Sequence, residues 1–331
     1  MKTQTFLLTL GFLSVACGGG DDDTATPTTT PSPEVMFDEA AMLAALPTSE
    51  QLSMEVPGNV AKVNTTIGET SDFYEMTRNL ANGVNNVVSN TLEMVANITS
   101  HPSTAQAENK RAWGPYTAEL SPVTQLFVME YVPADDNPAR LEYALLWKAK
   151  DAADDTYAPV IQGRIDEWEG SYKAHGSFKI DYDLAASLDT SITGQGVGLF
   201  QYGTEEAGRV IGADLNGVMM SDGAPIDSEV QYLDYSASGG ELRFHKEVDF
   251  TGEGDTALED VNVYSRWQDG GAGRSDVSAL GGDLESNVVN VSECWTPTFL
   301  ASYNLQMVNG VVQSQNGDPL TCVFADADYP N

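Results

Sequence analysis

The feature that most constrains this chain is a change of hydrophobic period near residue 100. Before it, Phe73, Met76, Leu80, Val84, Val87, Val88, Leu92, Val95 and Ile98 recur at spacings of three and four, the stripe of an amphipathic helix over 71–98. Ser71 is placed to cap that helix, Asp72 stands where the helix dipole favours an acid, and Ser100-His101-Pro102 stops it. After it, apolar residues recur at every second position. Strands are expected over 113–120, 125–132, 141–149, 159–168, 176–184, 197–202, 208–214, 230–236, 241–250, 261–268, 274–281 and 287–294. Phe178, Ile180, Tyr182 and Leu184 share a face against Lys179, Asp181 and Asp183. Leu242, Phe244, Val248 and Phe250 oppose Arg243, His245, Glu247 and Asp249 in the same way. One wet face is the mark of an antiparallel sheet. Strands 125–132 and 141–149 are apolar on both sides and should be covered on both. Asn309-Gly310 between two such runs predicts a C-terminal hairpin, because both residues tolerate the positive φ of a type I′ turn.

A helix followed by a long meander makes this an α+β chain, mostly β, with a long N-terminal helix packed on a large curved antiparallel sheet or half-barrel. The back of the helix carries Asn and Thr rather than Lys and Glu. That suits a helix laid in a concavity and lacks the flanking charges that set coiled-coil pairing. The arrangement is similar, in architecture alone, to the half-barrels of the periplasmic lipoprotein carriers and receptors. A shorter helix is expected within 37–46, ending before Pro47. No period of 20–50 residues repeats, which argues against a propeller or solenoid.

The N-terminus reads as an address. Lys2 precedes the apolar run Phe6-Leu7-Leu8-Thr9-Leu10-Gly11-Phe12-Leu13. That run is too short to span a bilayer, which takes about 20 apolar residues, and it fits the core of a secretory signal. Leu13-Ser14-Val15-Ala16-Cys17 follows and resembles the lipobox of bacterial lipoproteins, with Ser14 where the family favours Leu. The resemblance implies a signal peptide over 1–16, acylation of Cys17 and attachment to a membrane through lipid. Gly18 rather than Asp after that cysteine implies the outer membrane of the cell envelope. Residues 18–33, GGGDDDTATPTTTPSP, cannot bury a core and read as a tether. A single β-rich domain would occupy 34–331.

Composition narrows the partners. The 331 residues carry 16 Lys and Arg against 49 Asp and Glu, a net charge of −33. Losing 1–16 removes Lys2 and no acid, leaving −34. Such a surface is hydrated and resists aggregation, and it lacks the basic patches that nucleic acid requires.

Few residues point to chemistry. After Cys17, only Cys294 and Cys322 remain, and a lone pair in an oxidising compartment forms a disulfide. Asp249, Thr251, Glu253, Asp255 and Asp260, with Gly254 at a turn, faintly resemble a calcium loop, the one cation the sequence suggests. The alternative is an acidic hairpin loop. His101, His175 and His245 fall on three different elements, and no G-x-S-x-G elbow accompanies them. Gly194, Gly196 and Gly198 lack the Lys and the following helix of a phosphate loop. Trp113, Trp147, Trp168, Trp267 and Trp295 lie on or beside strands, where tryptophan fills cores more often than it forms platforms. The reading is a non-enzymatic envelope lipoprotein that needs no cofactor and binds an apolar ligand or an envelope protein. The alternatives are a tethered hydrolase and a structural surface protein. An apolar cavity between the helix and the sheet would favour the first.

Overall fold

The computed structural model describes residues 39–58, 67–133, 139–167, 175–205, 208–219, 225–235, 238–250 and 257–330. Met36–Asn331 forms one compact unit. It begins with α1 (Glu39–Ala45) and α2 (Ser49–Leu52), split by Pro47, and continues into α3 (Asp72–Thr99). The long helix is therefore not the N-terminal element: two short helices precede it. Ser71 caps α3 by accepting from the Tyr74 N–H. Thr48 caps α2 and exchanges bonds with Gln51 in a capping box.

Among the described residues fifteen strands follow: β1 (Ala105–Ala107), β2 (Lys110–Tyr116), β3 (Val123–Val132), β4 (Arg140–Ala149), β5 (Ala158–Glu167), β6 (His175–Asp181), β7 (Gln195–Glu205) and β8 (Gly208–Met219), then β9 (Ile226–Asp234), β10 (Gly240–Val248), β11 (Glu259–Trp267), β12 (Gly273–Leu280), β13 (Val288–Trp295), β14 (Ala301–Val308) and β15 (Val311–Gly317). They form a single antiparallel sheet in strict sequence order, so each strand pairs with the one before and the one after. Asn309 and Gly310 join β14 to β15 with φ of 50° and 76°, the left-handed values their residue types were expected to supply.

α3 crosses one face of this sheet. Its first turns lie over β11–β13, where Phe73 N–H bonds Glu293 and Thr77 Oγ1 meets Ser265 Oγ at 2.6 Å. Gly83 lies against Ile226 of β9, and the last turns sit over Tyr143, Ile161 and Phe178 of β4–β6. The helix comes close to β2, β3, β11 and β12, and between them Phe200, Tyr202, Ile211 and Tyr232 fill the core. Val84, Val87, Val88, Val95 and Ile98 are buried as the periodicity requires. Met76, Leu80 and Leu92 are only half-buried, while Tyr74, Thr77, Ala81 and Thr91 take inner places instead. Trp113, Trp147, Trp267 and Trp295 are all core; Trp168 lies outside the described residues.

Two expectations about the strands need correction. The strand anticipated over 176–184 ends at Asp181, whose carboxylate accepts from the Leu184 N–H and starts α4 (Tyr182–Leu188). Tyr182 and Leu184 thus prolong an alternation that the backbone has already left. Strands β3 and β4 are not buried on both faces: outward Leu126, Ala144 and Leu146 stay half-buried. Burial on both faces is found instead in β12, which carries Arg274, Ser275 and Asp276, and over the second half of β13. Its outer side is covered by the chain beyond β15, held by Cys322, whose Sγ lies 2.06 Å from that of Cys294 on β13. Under this C-terminal arm, Arg274 pairs with Asp276 at 2.8 Å and donates to the carbonyls of Phe324 and Ala325. Asp276 also accepts from Arg266 and from the Asp328 N–H, so its buried carboxylate is paired on both oxygens.

Candidate apolar site

The residues before α3 form a cover beside α3 on the face of the sheet that it crosses. Met42, Leu52 and Met54 are buried in the core and fix α1 and α2 to it. Asn85, on the helix back that seemed oddly polar, binds the backbone of Met54 twice: its Oδ1 accepts from the N–H at 2.8 Å and its Nδ2 donates to the carbonyl at 2.9 Å. Further along, the Glu55 N–H donates to Tyr232 Oη of β9, and Arg209 of β8 reaches the Glu50 carbonyl and the Glu55 carboxylate. At the other end, Glu39 accepts from Ser103 Oγ and N–H. The cover is held by polar clamps at its edges and by apolar anchors in its middle.

Between this cover, the C-terminal half of α3 and strands β4–β6 lies a cavity of about 330 Å³. That volume falls near the lower end of the range for small-molecule sites, about 300–1,000 Å³. Leu43, Leu46 and Pro47 wall it on one side and Leu92 and Val95 on another, with Tyr143, Ile161 and Phe178 as the floor. Exposed Thr48, Ser49 and Ala96 mark its mouth, and buried Thr91 lies deeper. No lining residue carries a charge. The Thr91 and Thr99 hydroxyls are turned back onto the carbonyls of Val87 and Val95, which removes polarity from the wall.

The floor depends on cross-strand glycines. Tyr143 stands directly opposite Gly163, and a Cβ there would come within 2.4 Å of the Tyr143 ring. Tyr202 on β7 stands opposite Gly176 in the same manner. Phe178 stacks on Phe200 with ring centroids 4.6 Å apart. Burial raises the Tyr143 phenol above its ordinary pKa, so it remains a neutral hydroxyl.

The residues singled out in the sequence are scattered. Cys17 and the tether 18–33 lie outside the described residues, as do Thr251, Glu253 and Asp255 of the calcium loop. Asp249 ends near the β10–β11 hairpin, and Asp260 Oδ1 lies 2.8 Å from His245 Nε2. Among the described residues no three His, Cys, Asp or Glu side chains gather as metal ligands would. His175 Nε2 is bonded to the Thr204 carbonyl, and His101 packs against Tyr116. Cys294 and Cys322 are the pair the structure brings together. Leu92, Val95 and Phe178 were readable as buried faces, but their meeting around one space was not, because it depends on register and on a cover some 40–130 positions away in sequence. Among the described residues no helix is long and apolar enough to cross a membrane. Comparison of the chain with protein-family models, with curated proteins and with solved structures returns no match.

Proposed function

We propose that this chain is a non-enzymatic lipoprotein of the cell envelope, anchored to the outer membrane through acylated Cys17, whose β-rich unit binds an apolar ligand. The observation that carries the reading is the uncharged cavity of about 330 Å³ between α1–α2, α3 and β4–β6. An open sheet curved around a helix, in the manner of a half-barrel, fits a carrier, because the cover can part without breaking a strand pairing. The acidic surface supports the same reading: it keeps a chain with an apolar mouth dispersed.

The test uses the full chain and an environment-sensitive apolar dye, N-phenyl-1-naphthylamine. The dye should bind with one site and brighten. Ala96→Trp, at an exposed position on the mouth, should weaken dye binding at least tenfold with little change in melting temperature. Equal dye binding by the variant would place the ligand elsewhere. For the anchor, Cys17→Ser should release the chain from membranes or leave its precursor unprocessed; normal retention would refute acylation at that residue.

A further inference from the structure

The sheet ends on a strand that stands in solvent. β15 is last in the strand order and pairs with β14 alone, so its far edge has no partner strand among the described residues. Six of its seven residues are exposed, and Val311 and Val312 keep 63% and 54% of their surface in solvent. Such an edge templates pairing with another chain, and proteins blunt it with charge, proline, short strands or bulges. β15 has a bulge, since Gln313 has no opposite residue on β14, but neither charge nor proline. The other edge is blunted by length: β1 has three residues, with Glu108 directly after it. The apolar row Val261, Ala279, Val289, Val308 and Val311 runs in register across β11–β15. It is buried through β13, half-buried at Val308 and open at Val311, so core surface continues out to the free edge.

Charge selects what can meet that edge. Cys294–Gly317 is 24 consecutive residues without Asp, Glu, Lys or Arg, the longest such run in a chain of 49 acids and 16 bases. A basic partner finds no acid on the strip to pair with. Two copies, each of net charge −33, repel wherever their acids face one another, and this strip is where they can approach with none between them. Antiparallel pairing also sets Asp318, just past the end of β15, beside the Asn309-Gly310 turn of the other copy and away from its Asp318.

We propose that β15 is a homodimer interface: two copies join antiparallel, β15 to β15, about a two-fold axis, and the sheet of one chain continues into the other. The inference stands apart from the apolar-ligand reading. Sedimentation velocity of the full chain from about 1 to about 200 µM should show a species of twice the monomer mass whose share rises with concentration. Raising salt from about 0.02 M to about 0.5 M should strengthen it, because screening weakens the repulsion between two acidic chains. Association should stop at two copies, since the dimer leaves only the short β1 edges free. Val312→Asp sets like charges at the joined edge and should raise the dissociation constant by about tenfold or more; Gln315→Asp, also exposed, serves the same purpose if the first variant does not fold. Leu120→Asp, at a 96% exposed apolar residue far from β15 in the strand order, should leave dimerisation unchanged. A monomer at every concentration and salt overturns the inference. So does a dimer indifferent to a folded edge variant, one weakened equally by Leu120→Asp, or growth beyond two copies.

Discussion

Glu293 sits fully buried beneath the first turn of α3, where its carboxylate accepts from the N–H groups of Phe73 and Asp72. Burial pushes its pKa up to about 7, against the opposing pull of those N–H groups and of Ser71. The folded state thus holds a proton that the unfolded chain gives up near the ordinary value of 4.5. Its contribution to stability is complete below that ordinary value and is lost as pH rises through about 7, on the order of 3 kcal/mol in all. The melting temperature of the wild type relative to Glu293→Gln should accordingly fall between pH 5 and pH 8. A pH-independent difference would show that Glu293 does not change protonation on folding. Neither Glu293 nor Tyr143 was legible in the sequence. The chain has 49 acids and 13 tyrosines, and only strand register reveals which acid faces a helix terminus and which tyrosine faces a glycine.

At the scale of elements, periodicity was the readable part. α3 and most strands declare themselves because one side of each is buried, and Asn309-Gly310 specifies its turn chemically. β1 was missed because three exposed residues carry no pattern. α4 was misread because its capping Asp181 falls where an outward strand residue would stand. The arm after β15 was invisible for another reason. Its role is to cover Arg274, Asp276 and Ser292 on an outer face that alternation labels as wet, with Tyr329 Oη 2.8 Å from Ser292 Oγ. The cysteines alone hinted at it. Cys322→Ala should lower the unfolding free energy by roughly 3–4 kcal/mol, the loop-closure value for a separation of 28 residues. It should also speed hydrogen exchange at the amides of 322–329 while the β4–β8 amides stay protected. Unchanged exchange in the arm would mean that its polar contacts hold it without the disulfide.

For the whole molecule, the described residues form one antiparallel sheet of fifteen consecutive strands, with α3 laid across one of its faces. Because α3 crosses the sheet from β13 to β4, its two ends are met by different strands. Near the C-terminal end the space is closed by α1 and α2 from the other side. The fold class was legible from the switch in period, but the cavity was not, since it is a property of three segments meeting rather than of any one. The account stands on the claim that this space takes up an apolar molecule. Methyl-resolved NMR of the full chain with Leu, Val and Ile labels, titrated with methyl dodecanoate, tests it most directly. Shifts should concentrate at Leu43, Leu46, Leu92, Val95 and Ile161 and saturate together with one ligand per chain. Saturating shifts confined to other methyls, or none at all, would contradict the account.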